Sequence, residues 1–182
     1  MLYSILAFVL DVAASIVGGA CLLRLYMQFR RVPFGNPLGR LVFTLTDWLI
    51  PPIRRWAPAV GSLDLASLIA AYSVKLLQFA LLWLLAGRLA GIGLVPLLAL
   101  FGLGQLVLTV ASGLIIVQAI LSWVQDHGPM GAVLQRLTEP LLGPIQRRLP
   151  RPGGIDLSPL LALLVLQLAA WGLASLQHAV LG

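Results

Sequence analysis

Three charged residues lie in stretches of sequence that are otherwise apolar enough to cross a membrane. Asp11 and Arg24 fall in the first stretch and Lys75 in the second. A charge is costly in hydrocarbon, so charged residues within spans usually pair with one another or line a functional path. We predict that Lys75, with Asp11 or a glutamine as partner, forms a polar path or a lipid-headgroup site. The alternative is a lysine that snorkels or bonds to neighbours on its own helix.

The three charged residues are expected at different depths in the membrane. Lys75 stands about 11 residues into the second stretch, roughly 16 Å at the helical rise, which places it near mid-bilayer. Arg24 lies near the end of the first stretch, and we expect it to snorkel to the surface. Asp11 lies toward the opposite end of the same stretch.

The composition excludes an ordinary soluble domain. Of 182 residues, 60% are hydrophobic and 10% are charged, whereas soluble domains have about a quarter of their residues charged. The formal net charge of +6 would suggest nucleic acid for a soluble protein. For a membrane protein the positive charge instead indicates how the spans are oriented, because Lys and Arg are concentrated in cytoplasmic loops. We therefore expect no nucleic-acid partner.

Four stretches are long enough to span a bilayer as helices. They cover residues 2–29, 64–86, 94–124 and 155–181, which predicts an all-α membrane protein with four transmembrane helices. Met1 to Leu10 contains no Lys or Arg, and Asp11 interrupts the apolar run. We therefore interpret the first stretch as a span and not as a cleaved signal peptide.

The basic residues predict the orientation of the spans. Nine of the twelve Lys and Arg residues lie in the first and third connecting loops. With four spans these loops share one side, and the positive-inside bias makes that side cytoplasmic. The expected location is a bacterial inner membrane with both termini outside, and the inverted topology is the alternative.

The two halves of the chain repeat each other at a constant spacing of 92 residues. Pro52-Ile53 matches Pro144-Ile145, and Asp64-Leu65 matches Asp156-Leu157. We predict two units, residues 1–92 and 93–182, each built as span, amphipathic loop, span. Because each unit has two spans, the units are parallel, and we expect them to be related by a pseudo-two-fold axis along the membrane normal.

Each loop contains an amphipathic segment. In the first loop Asn36 suits a helix N-cap and Pro37 the first helical position. An apolar stripe at helical spacing follows in each copy: Leu38, Leu41, Val42, Leu45 and Leu49, and then Met130, Val133, Leu134, Leu137 and Leu141. Asp47 lies off the stripe. We predict helices over residues 37–50 and 129–142 that lie in the membrane interface, apolar face in lipid. The alternative is a re-entrant hairpin packed on the bundle.

A proline-rich turn is predicted after each amphipathic helix, at Pro52 and at Pro144. A turn containing Gly153 and Gly154 then leads into the last span, and we interpret Asp64 and Asp156 as helix N-caps. A catalytic carboxylate is the alternative, although a motif that occurs twice favours a structural role. The candidate lipid- or partner-binding residues are the loop arginines Arg40, Arg54, Arg55, Arg136, Arg147 and Arg148.

These motifs resemble those of the YggT family of bacterial membrane proteins. The resemblance covers essentially the whole chain and rests on these segments: Leu23-Arg24-Leu25-Tyr26-Met27-Gln28-Phe29, Asn36-Pro37, Thr46-Asp47, Pro52-Ile53-Arg54-Arg55, Thr138-Glu139-Pro140-Leu141-Leu142 and Gly153-Gly154-Ile155-Asp156. Trp48 and Pro51 depart from the family pattern. The family has been linked to osmotic or ionic stress tolerance, potassium uptake and cell or plastid division. A chloroplast branch is linked to haem attachment in cytochrome b assembly.

Two main functional hypotheses follow. The first is a membrane-organising or assembly factor whose arginines and amphipathic helices bind anionic lipid or a partner protein. The second is a channel or transporter subunit in potassium or ion homeostasis, with Lys75 in its pathway. A haem-assembly factor, implied by the resemblance, is a third. Small residues at helix-packing spacing, such as Ala14 and Gly18, suit either a homo-oligomer or close packing within one chain.

No cofactor, metal site or catalytic residue is expected. The chain contains no nucleotide-binding loop, metal motif or nucleophile constellation. Its two histidines, His127 and His178, fall outside the middle of any span, and no Cys-x-x-Cys-His is present. We therefore do not expect an enzyme.

Overall fold

The computed structural model describes residues 1–57, 63–87, 92–123, 128–148 and 156–181. Regular structure in these ranges is helical, with no β-strand. The helices are α1 (Leu2–Phe29), α2 (Pro37–Thr46), α3 (Ile50–Arg54), α4 (Leu65–Leu85), a 3-10 turn (Ile92–Leu94), α5 (Val95–Trp123), α6 (Pro129–Gln146) and α7 (Ser158–Leu181). The predicted turn at Gly153 and Gly154 lies outside the described residues.

Four helices are long and apolar enough to cross a membrane: Leu2–Phe29, Leu65–Leu85, Ile92–Ser122 and Ser158–Val180. Their bounds lie close to those predicted. The all-α membrane fold with four transmembrane helices is therefore confirmed. Helices suit this environment because their backbone hydrogen bonds are all made within the segment.

The first amphipathic segment forms two helices where the sequence predicts one. Asn36 caps α2, its side-chain oxygen accepting from the Gly39 N–H at 2.9 Å, and Pro37 takes the first helical position. The helix ends at Thr46, and α3 begins at Ile50. Pro51 and Pro52 explain the break, because two successive residues lack the N–H needed to bond back to the preceding turn. Both prolines fit the first turn of α3 instead.

The second amphipathic segment is one continuous helix. Pro140 and Pro144 lie inside α6, which runs on to Gln146. The predicted exit turn at Pro144 is therefore wrong. Here the prolines are four residues apart, so each removes one backbone hydrogen bond while the bonds between them remain.

The apolar stripes of α2 and α6 face the bundle. Val42, Leu134 and Leu137 are buried, and they form one cluster with Met27 of α1 and Leu114 of α5. For these three stripe residues the prediction of a lipid-facing position is wrong. Packing against two spans buries them more completely than the membrane interface would. Leu41 is 56% exposed.

Small residues let the spans approach closely. A Cβ on Gly18 would lie 2.9 Å from Leu106 Cδ2 of α5. Cys21 of α1 packs with Ala66, Ala70 and Ala71 of α4 and with Ile50 of α3 in a second cluster. Small side chains give such close backbone approach in membranes, where van der Waals packing drives helix association.

The four spans pack in an open order. The pair α1 and α4 packs together, α4 packs on α5, and α5 packs on α7. In the repeat, α4 corresponds to α7 and α5 corresponds to α1. A two-fold axis would therefore pack α7 against α1 in the same way as α4 packs against α5. The described residues show no comparable α7–α1 packing. The predicted pseudo-two-fold arrangement is therefore not confirmed.

We expect Gly39→Ala to destabilise the protein, because a Cβ at this position would lie 2.3 Å from the Phe34 carbonyl oxygen. Overpacking of this kind costs about 1–3 kcal/mol. The midpoint of thermal unfolding in detergent, followed by a thiol dye that reaches the fully buried Cys21 only on unfolding, measures the loss. Gly35→Ala is the control, since a Cβ there meets nothing within 4 Å. Equal midpoints for both variants would contradict this account of α2.

Candidate functional site

One end of the bundle, here called the basic end, collects the loop arginines. It comprises the end of α1, helices α2, α3 and α6, and the first turns of α4 and α7. Arg24 is buried there and does not snorkel as predicted. Its Nη1 donates to Thr46 Oγ1 at 2.8 Å and to Asp47 Oδ1 at 2.6 Å, and its guanidinium lies 4.5 Å from the Phe43 ring centroid. Arg24 therefore fixes α2 onto α1.

A second ion pair joins α3 to α4 at the basic end. Arg54 Nη2 donates to Asp64 Oδ2, and the Ser67 hydroxyl donates to the same oxygen at 2.8 Å. Asp64 occupies the N-cap position of α4, but its side chain makes no capping hydrogen bond. The predicted N-cap position of Asp64 is therefore confirmed, although its carboxylate does not cap the helix. Its fully buried carboxylate instead binds a cation, which offsets the cost of burying the charge.

In the second half an amide takes the place of the guanidinium in the corresponding contact. Gln146 Nε2 donates to Asp156 Oδ2 at 2.8 Å, and these residues stand 92 positions after Arg54 and Asp64. Asp156 Oδ1 also accepts from the Ser158 N–H at the start of α7, so Asp156 satisfies one of the unpaired donors there. The two contacts thus lie at equivalent positions of the sequence repeat.

The remaining loop arginines are exposed. Within the described residues, the side chains of five of them form no hydrogen bond or ion pair: Arg40, Arg55, Arg136, Arg147 and Arg148. Trp48 is 65% exposed and Trp56 is 91% exposed at the same end. Tryptophan side chains concentrate at the boundary between hydrocarbon and headgroups. The basic end thus combines free cations with aromatic anchors.

Contacts that the sequence did not predict join the two halves at the basic end. The Tyr26 hydroxyl of α1 donates to the Leu137 carbonyl of α6 at 2.7 Å. Arg30 Nη2 lies 3.7 Å from Glu139 Oε2. Glu139 stands 92 positions after Asp47, and each acid follows a threonine. This repeated Thr-acid pair was the sequence signal that could have indicated that both acids have similar partners. Each acid of the pair thus receives an arginine from the end of α1.

The charged residues inside the first two spans form a second cluster, the Lys75 cluster, of Asp11, Ser15, Lys75 and Gln78. Lys75 Nζ donates to Gln78 Oε1 at 2.9 Å and lies 3.5 Å from Asp11 Oδ1. Gln78 Nε2 donates to Asp11 Oδ1 at 2.9 Å, and Ser15 Oγ lies 3.5 Å from Lys75 Nζ. The structure thus brings Lys75 together with both proposed kinds of partner.

Burial within this cluster is uneven. The Lys75 side chain is 6% exposed, whereas that of Asp11 is 62% exposed. Gln78 is buried as well, so the cation and the amide are enclosed and the carboxylate lies at the surface of α1. The cluster can hold a charge or relay a hydrogen bond between two spans, and its opposite charges largely cancel.

Cofactor ligands are not grouped in the described part of the chain. No set of three His, Cys, Asp or Glu side chains there could hold a metal ion. His178 is exposed near the end of α7, and His127 lies outside the described residues. The described residues therefore add no ligand group that would support the haem-assembly hypothesis.

Comparison with known proteins identifies the family. The CCB3/YggT family matches residues 3–85 and 97–177. The chain belongs to the CCB3/YggT family. It is 37% identical over 176 residues to the uncharacterised protein YggT of Escherichia coli K12, covering 96% of this chain and 92% of the relative.

Two further relatives match over most of their length. An uncharacterised protein from the proC 3′ region of Vibrio alginolyticus is 39% identical over 155 residues, covering 81% of this chain and 82% of the relative. An uncharacterised protein of Pseudomonas aeruginosa is 35% identical over 165 residues, covering 88% and 84% respectively. No solved structure matches the chain. The family resemblance is therefore confirmed, while the function rests on this chain's own geometry.

The unequal burial of the Lys75 cluster predicts unequal effects of mutation. We expect Asp11→Leu to lower the thermal unfolding midpoint more than Lys75→Met does, because it leaves a buried cation unpaired. Lys75→Met leaves only an exposed carboxylate. Adding Lys75→Met to Asp11→Leu should restore part of the loss, a coupling that a double-mutant cycle measures. Additive losses would show that the pair does not interact.

Proposed function

We propose that this family member is an inner-membrane organising or assembly factor that binds anionic lipid at its basic end. The observation that carries the proposal is the grouping of exposed arginines with exposed tryptophans at one end of four spans. Arg55 and Trp56 are adjacent in the chain and both are exposed. The guanidinium group presents several donors that match phosphate oxygens, and the indole ring suits the headgroup boundary.

Ion pairs within the chain distinguish structural arginines from those that are free to bind lipid. Arg24 and Arg54 are held by acids of the same chain, so their first role is to fix α2 and α3 to the spans. Arg40, Arg55, Arg136, Arg147 and Arg148 remain for an external anion. Each cation near an anionic leaflet adds about 1 kcal/mol of attraction. Together they give a basic surface held on a rigid frame.

Orientation follows from the same charge distribution. The basic end carries most of the basic residues, so the positive-inside bias supports a cytoplasmic position for it. The amino-terminal end of α1 and the carboxy-terminal end of α7 then lie on the outer side. Anionic lipids of the cytoplasmic leaflet are the ligand that this orientation offers. A partner protein with an acidic surface would use the same arginines.

We expect the triple variant Arg55→Gln, Arg147→Gln and Arg148→Gln to bind anionic lipid at least about tenfold more weakly than the native protein, since three attractions are removed. The purified protein is titrated with phosphatidylglycerol or phosphatidylcholine in detergent, and the shift of the unfolding midpoint is measured. The native protein should respond to phosphatidylglycerol far more strongly than to phosphatidylcholine.

Lys75→Met is the matched control for the lipid titration, because it removes a cation that is buried away from the basic end. It should keep the native response to phosphatidylglycerol. An unchanged response in the triple variant would overturn the proposal. A lost response to lipid with retained function in osmotically stressed cells would assign the arginines a different role.

A second candidate function is an ion pathway, and the Lys75 cluster is the specific observation that favours it. A buried lysine bound to an acid between two spans is unusual for a purely structural site. In liposomes holding the protein, a potassium flux that Lys75→Met changes is the expected result for this function. Absence of flux from folded, inserted protein would exclude it and leave the Lys75 cluster as a contact between α1 and α4.

A further inference from the structure

The outer face of α7 is the least covered surface among the spans, and it carries a polar side chain. In the most apolar window of α7, 6% of residues are buried, against 22–33% in the other three spans. Gln167 is exposed near the middle of α7, and its side-chain amide makes no hydrogen bond to the described residues. An amide in hydrocarbon has no water to bind, so it favours a partner on another helix.

The repeat indicates what would cover this face. In the first half, Lys75 and Phe79 of α4 pack on α5, where a Cβ on Gly102 would lie 3.6 Å from Lys75 Cδ and 2.6 Å from Phe79 Cε2. The residues 92 positions later on α7 are Gln167 and Trp171, and Trp171 is 78% exposed. No helix takes the place of α5 beside them within the described chain.

We propose that α1 of a second copy of this chain packs against that face of α7. In the repeat, α1 corresponds to α5, and Leu10 corresponds to Gly102. The geometry points to Gln167 and Trp171 of one copy lying against Leu10 of its neighbour. Both helix pairs are antiparallel, so the α4–α5 packing within one chain serves as the template for the contact between chains.

Hydrogen-bond chemistry on α1 suits this partner. Asp11 follows Leu10, and its side chain is 62% exposed. Its contacts to Lys75 and Gln78 both use Oδ1, so Oδ2 has no partner in the described residues. The Gln167 amide of one copy can donate to this carboxylate of the next. One contact would then satisfy both the Gln167 amide and the open oxygen of Asp11.

This contact uses different surfaces on the two copies. It is therefore heterologous, and it produces a ring if the rotation closes or a chain if it does not. A symmetric α7–α7 dimer is the contrasting arrangement, in which Gln167 would meet its own copy. Cysteine cross-linking distinguishes these arrangements, and the native Cys21 can stay because it is fully buried.

The first test mixes two differently tagged chains in membranes, one with Leu10→Cys and one with Trp171→Cys. We expect a disulfide between the two tagged chains under oxidation and none when either variant is present alone. Leu176→Cys, exposed on the opposite side of α7, replaces Trp171→Cys in the control and should give no cross-link with Leu10→Cys. Cross-linking of Trp171→Cys to itself, equal cross-linking in the control, or none with Trp171→Cys would each overturn the proposal.

The second test measures self-association in detergent micelles by energy transfer between labelled copies. Gln167→Leu should raise the dissociation constant about three- to tenfold, the range expected for one hydrogen bond between helices in a membrane. Val165→Ala, exposed on the other side of the helix, should leave it unchanged. Loss of association in both variants, or in neither, would contradict the assigned face.

Discussion

Hydrocarbon offers no partner to a charged side chain, and the packing of the first two spans follows from that constraint. Lys75, Asp64 and Arg24 are each buried or nearly so, and each is bound by an opposite charge from another helix or loop. These pairs join α1 to α2, α3 to α4, and α4 to α1. Removing one partner of such a pair leaves the other charge buried and uncompensated. The ion pairs therefore fix which helices pack together, beyond any stability they add.

In the second half, amides stand at the positions of two cations of this framework, while two of its acids remain. Gln146 stands where Arg54 does, and Gln167 stands where Lys75 does. Glu139 keeps an arginine partner, but Arg30 comes from the other half. Within the described residues, α7 is held by apolar contacts with α5 and α6, by the Gln146–Asp156 hydrogen bond at its start, and by the Gln105 amide, which donates to the Ala170 carbonyl at 3.0 Å.

The sequence predicted the features that depend on local pattern. Span bounds follow from the length of apolar runs, and the cap at Asn36 follows from the residue type before Pro37. It did not predict the partners of Arg24, because Thr46 lies 22 residues away and only folding brings the two together. Helical periodicity alone did not show whether Val42 faces lipid or protein, since both environments are apolar. The adjacent prolines of α3 could have signalled the break in the first amphipathic segment, whereas the continuity of α6 through Pro144 depends on tertiary packing.

The exposed arginines of the basic end and the uncovered face of α7 together affect how strongly the protein binds lipid. The attraction between one arginine and an anionic leaflet is about 1 kcal/mol, so a single chain holds its lipids weakly. If copies associate through α7 and α1, each added copy brings its own basic end to the same leaflet. Linked sites bind with an affinity well above that of either alone, because the second binding event becomes intramolecular. An assembly of copies would therefore gather anionic lipid more effectively than dispersed chains, which connects the open edge of the bundle to a membrane-organising role.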